Sequence, residues 1–115
     1  MTVERLKAFA QAWSEKNIDT VMDFFTEDCR YSASVVQKSK ETAYGKKEVR
    51  EKVLALIAFD DSITSEVNNL YVDGHFGFWE WEYKTVKNGT VKGCDVFTFQ
   101  DDLIQIKNAY RKIMT

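Results

Sequence analysis

The sequence predicts an α+β domain in which helices from the N-terminal half pack on one face of a strongly bent antiparallel sheet. Three observations predict it. Apolar residues recur at helical spacing in three segments of the first sixty or so positions, the last ending near Ile57. From Phe76 to Tyr110 the side chains alternate with period two, as strands require. Turn signals at Asp73-Gly74, Asn88-Gly89 and Asp101-Asp102 divide that run into three consecutive strands, Asn-Gly being the dipeptide that best accepts the positive φ angles of a tight hairpin. The resulting order, α-α-β-α-β-β-β-β, fits one layer of helices on one sheet. With 115 residues the chain reads as a single domain, 1–115, long enough for a core without staples.

In chain order, Val3, Leu6, Ala10 and Trp13, with Phe9 beside them, give an amphipathic first helix up to about Lys16. Asn17 or Asp19 caps a second helix that buries Val21, Met22, Phe24 and Phe25 and closes at Thr26-Glu27-Asp28. A short strand around Cys29 to Ser34 places Cys29, Tyr31 and Ala33 on one side and Arg30 and Ser32 on the other. Val35 to Tyr44 reads as a polar loop. Gly45 then opens a third helix with apolar positions Val49, Val53, Leu54, Leu56 and Ile57, ended by Asp60 and Asp61, and Ile63 to Val72 makes the strand leading into the meander.

Within the meander Trp79, Trp81 and Tyr83 share one face of the first strand, opposite Glu80, Glu82 and Lys84. On the second, Val91, Gly93, Asp95, Phe97 and Phe99 oppose Lys92, Cys94, Val96, Thr98 and Gln100. On the third, Ile104, Ile106, Asn108 and Tyr110 are expected on the core side, with Gln105, Lys107, Ala109 and Arg111 facing away. Two polar residues therefore stand out on the apolar face, Asp95 and Asn108. A carboxylate among aromatic rings must pair, bind something or take up a proton, because desolvation disfavours its charge.

Composition excludes several classes. The net charge of −2 and pI near 5.4 argue against a nucleic-acid surface. The start, MTVERLKAFAQAW, carries charges among its apolar residues and reads as neither a signal peptide nor a membrane span. Cys29 and Cys94 form no disulfide framework and lack metal spacing, and free thiols in a reducing cytoplasm are the expectation. One histidine, His75 beside a turn, assembles no triad, and neither a metal nor a cofactor is expected.

The segments NIDTVMDFFTEDCRYS, YGKKEVREKVLALIA and GCDVFTFQDDLIQIKNAY, in this order of elements, resemble the nuclear transport factor 2-like superfamily and, within it, the SnoaL-like proteins. The resemblance implies a cone-shaped, cystatin-like roll: three helices against a strongly curved, mixed or antiparallel sheet, with an apolar pocket open at one end. It also implies a homodimer through the outer sheet face, here Phe76, Phe78, Cys94, Val96 and Thr98. In similar ketosteroid isomerases a hydrogen-bond-donating acid begins an Asp-Val-x-x-Phe segment, which Asp95-Val96-Phe97-Thr98-Phe99 matches. The base of those enzymes corresponds to about Ala33 and their oxyanion tyrosine to Phe9. The acid/base of SnoaL-type polyketide cyclases corresponds to about Ala109. The Asp-Arg-Asp arrangement of limonene epoxide hydrolase is not assembled, and the end of the last strand offers Arg111 and Lys112 instead of an acid.

These residues lead to a small-molecule pocket with Asp95 as catalytic or anchoring group, lined by Tyr31, Trp81, Phe97, Asn108 and Tyr110, that takes a small apolar ligand and supports isomerisation, cyclisation or dehydration beside a carbonyl. The alternative is a non-catalytic, dimeric ligand-binding or protein-interaction module. No nucleic-acid or membrane partner is expected.

Overall fold

Thr2 and Asn17 each accept a hydrogen bond on a side-chain oxygen at a helix start, from the amides of Arg5 at 3.1 Å and Thr20 at 3.3 Å. They open α1 (Val3–Ser14) and α2 (Ile18–Asp23) in the computed structural model, which describes residues 1–34, 41–59, 65–85 and 89–113. The chain continues through β1 (Phe25–Ser32), β2 (Thr42–Tyr44), α3 (Gly45–Phe59), β3 (Glu66–Asp73), β4 (Phe76–Thr85), β5 (Gly89–Gln100) and β6 (Leu103–Arg111). The strands form one sheet in the order β2-β1-β6-β5-β4-β3. All neighbours are antiparallel except β1 and β6, which run parallel, so the sheet is mixed. No helix among the described residues is long and apolar enough to cross a membrane.

The α+β architecture is as expected, with local differences. β2 occupies the end of the expected polar loop, where Thr42–Tyr44 pair with Ser32, Tyr31 and Arg30. Residues 35–40 of that loop lie outside the described residues, as do Asp60, Asp61, Ile63 and Asn88. α2 ends at Asp23 rather than at Thr26-Glu27-Asp28, because Phe25 already pairs with Ile104 and buries its ring completely. On α3, Val49 and Val53 are buried but Leu54 is 43% exposed, so the helix contacts the sheet through a narrower stripe than its apolar content suggests.

The core lies between the helices and the concave face of the sheet. Phe9 of α1 sits at its centre, stacked on Trp79 at 5.8 Å and edge-on to Phe24, Phe25 and Phe97 at 5.4–6.3 Å. Asp101, in the left-handed region at φ 53°, turns β5 into β6, and the Arg5 Nε donates to the Asp102 carbonyl at 2.6 Å, tying α1 to that turn. Two glycines let large rings lie flat on the bent sheet. A Cβ on Gly77 would run into the Phe99 ring, and one on Gly93 would meet both the Trp81 indole and the Tyr110 carbonyl.

Gly93→Ala is therefore expected to cost about 1–3 kcal/mol, the usual penalty of forcing an extra methyl into a packed site. Urea unfolding checks it, and a variant as stable as the parent would show that the Trp81 indole does not need the bare strand beneath it.

Candidate ligand pocket

The register of β5 on β6 decides which side chains reach the concave face. A two-residue turn at Asp101-Asp102 with regular pairing would set Asp95 opposite Asn108. Instead Phe99 pairs with Ile104 and Thr98 with Ile106, leaving Gln105 as an extra residue, and Asp95 comes to lie opposite Ala109. One inserted residue reverses the facing of everything beyond it. Lys107, Ala109 and Arg111 consequently face inward, whereas Asn108 pairs with Val96 on the convex side and Tyr110 is 57% exposed. The sequence expectation for β6 holds at Ile104, which is fully buried, and is reversed after it.

The concave face encloses a cavity of about 120 Å³ near the open end of the cone. This is on the scale of the ~150 Å³ apolar cavity that accepts benzene in an engineered protein. Trp79, Trp81 and Tyr83 from β4, Tyr31 from β1 and Trp13 from α1 form its aromatic wall, and Leu56 and Ile57 of α3 close the opposite side. Exposed Ser14 and Ser65 mark where it opens. Among the described residues, no buried charge lines the wider, more open crevice between α1 and β3.

Asp95 is 3% exposed and lines this cavity. Three donors converge on its two oxygens. Trp79 Nε1 donates to one at 2.6 Å, Lys107 Nζ lies 3.2 Å from the same oxygen, and Trp81 Nε1 donates to the other at 3.3 Å. Of the outcomes available to a carboxylate among aromatics, pairing is the one observed, and Asp95 stands as an acceptor rather than as a donor.

Lys107 is also 3% exposed, and its ammonium sits over the rings of Trp13 at 4.6 Å and Tyr31 at 4.3 Å. Desolvation is the largest influence on it and pulls its pKa down. The Asp95 charge, the Tyr31 side chain and hydrogen bonds to both push it back, and the balance leaves Lys107 above the ordinary lysine value of 10.5. Lys107 is thus a buried, fully charged cation.

Arg111 follows two inward positions later, its guanidinium 5.7 Å from the Trp81 ring centre and 5.6 Å from that of Tyr83. Those two rings stack at 5.9 Å and 11°. The cysteines do not contribute a nucleophile to this wall: burial pushes the Cys29 thiol up to about 11 and also raises Cys94, and neither lines the cavity.

Among the residues expected at the site, the structure brings together Asp95, Tyr31 and Trp81. Phe97 is fully buried beneath the cavity, edge-on to Trp79 at 4.9 Å, and does not line it. Asn108 and Tyr110 lie off it. Lys107 and Arg111 were missed because alternation was extended through the bulge. The signal was nevertheless present, since a buried Asp95 requires a cation and β6 is the neighbouring strand that carries two.

Lys107→Met, which strands the Asp95 charge, is expected to destabilise by about 3–5 kcal/mol in urea unfolding, and Asp95→Asn combined with Lys107→Met by less than the two single changes together. Additive effects would mean that the two groups are not coupled. The folded state holds the Lys107 proton more tightly than the unfolded chain. Its contribution is therefore complete below pH 10.5 and is lost as pH rises through the higher folded value, so the alkaline decline in stability should be shallower in Lys107→Met.

Comparison with curated proteins gave no match. Among solved structures, an NTF2-like protein of unknown function from Mesorhizobium loti superposes with a TM-score of 0.79 at 17% identity, over 96% of this chain and 89% of its own. A protein from Sinorhizobium meliloti described as a candidate polyketide cyclase gives 0.76 at 16%, over 92% and 93%. A candidate isomerase of the SnoaL-like family from Agrobacterium tumefaciens gives 0.75 at 13%, over 96% of both chains. At such identities the likeness establishes the fold, the curved α+β roll that the sequence leads one to expect. The profile of the SnoaL-like domain matches residues 6–106, and the chain belongs to that family.

Proposed function

We propose that the cavity binds a small, largely apolar carbonyl compound and supports proton transfer of the isomerase or cyclase type beside that carbonyl, with Asp95 as its polar anchor. The observation that carries this reading is the buried Asp95–Lys107 pair set into an aromatic wall. A buried ion pair is seldom the most stable filling for a core, since apolar residues of similar volume do as well or better. Its position at a cavity therefore points to use. The Lys107 ammonium is placed to donate to a ligand carbonyl oxygen and to stabilise the charge that develops there. A carboxylate has about four lone-pair sites, and three donors leave one that can accept a proton from the carbon beside the carbonyl. Asp95 is the one carboxylate among the described lining residues, and the resemblance puts about Ala33 and Ala109 at the acid positions of similar enzymes, so the proton step falls to Asp95.

Intrinsic tryptophan fluorescence tests this, because Trp13, Trp79 and Trp81 all line the cavity. Steroid enones, aromatic polyketides and short ketones would be titrated into the parent and Asp95→Asn at several pH values. Saturable quenching by one class is expected, weakened about tenfold or more in the variant, because without the Asp95 charge burial disfavours the Lys107 ammonium that donates to the carbonyl. Equal binding to both proteins would remove Asp95 from the chemistry, and binding to neither would leave the cavity without a ligand.

A second reading, a dimeric module joined through the outer face of the sheet, is favoured by one observation. Tyr71 and Phe76 are each 63% exposed there, Tyr110 57% and Val96 40%, an apolar surface unusual for a face left in water. A two-fold dimer would cover it. Light scattering should then give twice the chain mass, and Val96→Asp should halve it. A monomeric parent would exclude this interface.

A further inference from the structure

We infer that the ligand of this cavity carries a carboxylate, bound by Arg111 near the open end. The inference rests on the proposed small-molecule pocket and adds the ligand's charge to it.

The charges of the lining are unequal in sign. Among the described residues they are Lys16, Asp95, Lys107 and Arg111, three cations and one anion. The anion is already matched, since Asp95 and Lys107 face each other at 3.2 Å. Among the described residues no carboxylate forms an ion pair with Arg111; its recorded contacts are the rings of Trp81 and Tyr83. Its Nε is buried and has no hydrogen-bond partner among those residues. A buried, unsatisfied donor is costly and calls for an explanation. Standing over two aromatic rings satisfies none of a guanidinium's N–H groups, whereas a carboxylate accepts two of them side by side.

Position supports the same conclusion. Arg111 ends β6, four residues past Lys107 on the same face, or about 13 Å further along the strand at the usual rise. In register Arg111 lies level with Gly93, Trp81 and Val67, close to the exposed Ser65 that precedes β3 and lines the cavity. A ligand entering there meets Arg111 first and the Asp95–Lys107 pair deeper in. Its apolar body then lies against Trp81 and Tyr83, between the two cations, where Ala109 takes up little room.

The test uses a matched pair of probes, benzoate and benzamide, with 2-naphthoate and 2-naphthamide as larger counterparts, followed by tryptophan fluorescence and calorimetry at neutral pH. In the parent protein the carboxylates are expected to bind roughly tenfold more tightly than the amides. Arg111→Gln should abolish that preference while leaving amide binding in place, and Arg111→Lys, which keeps the charge but not the fork, should retain only part of it. Parent protein that binds amide and carboxylate equally, or a preference that survives in Arg111→Gln, overturns the inference and leaves the pocket intact. Binding of none of the four compounds overturns the pocket reading and this inference together.

Discussion

The ion pair between Asp95 and Lys107 is the interaction on which the inner face of the sheet depends. At 3.2 Å and an effective dielectric of 20, the attraction is about 5 kcal/mol, against a desolvation cost of several kcal/mol for each ion. The pair alone does not settle that account. It persists because its neighbours are arranged around it: two indole N–H groups complete the carboxylate's hydrogen bonding, and the rings of Trp13 and Tyr31 face the ammonium. The aromatic wall thus has two tasks. It provides apolar surface for a ligand, and its polar edges and electron-rich faces hold a pair of charges that the fold would otherwise expel.

Those arrangements explain features that look unrelated in the sequence. Trp79 is held by a stacked contact with Phe9 and an edge contact with Phe97, and its N–H points to Asp95. Trp81 crosses β5 where Gly93 offers no Cβ, which brings its N–H to the second carboxylate oxygen and its ring under Arg111. The bulge at Gln105 turns Lys107 inward. Removing any of these leaves Asp95 with a donor missing, so a ring, a glycine and a bulge contribute to one electrostatic site.

Much of this was legible in the chain. The alternation from Trp79 to Tyr83 and from Val91 to Phe99 set Asp95 among aromatics, and both strands keep that facing in the structure. The caps at Thr2 and Asn17 and the turns at Gly74 and Asp101 follow from local chemistry that sequence displays directly. The inner face of β6 was not legible from periodicity, because Ile104-Gln105-Ile106 alternates perfectly well in the wrong register, and nothing local to Gln105 marks it as extra. The three-residue β2 was hidden for a similar reason: it is stabilised by pairing with β1, a contact distant from its own composition. The cation needed by Asp95 was a non-local constraint as well, and it favoured the register that alternation had passed over.

That constraint also orders the chemistry of the pocket. Lys107 is committed to Asp95, and its charge is neutralised at close range, so it can polarise a carbonyl but offers little net attraction to an anion entering from solvent. Arg111 has no such partner among the described residues and stands over two rings, level with the start of β3. The two cations are therefore suited to different oxygens: Arg111 to a formal carboxylate, which it can grip bidentately and draw in from a distance, and Lys107 to a carbonyl whose negative charge appears only during reaction. Ala109, between them on the same face and opposite Asp95, leaves the wall low where a ligand's apolar body has to lie. An acid at that position would place a second carboxylate beside Asp95 and compete for Lys107, so alanine there is what allows one anion and two cations to act separately.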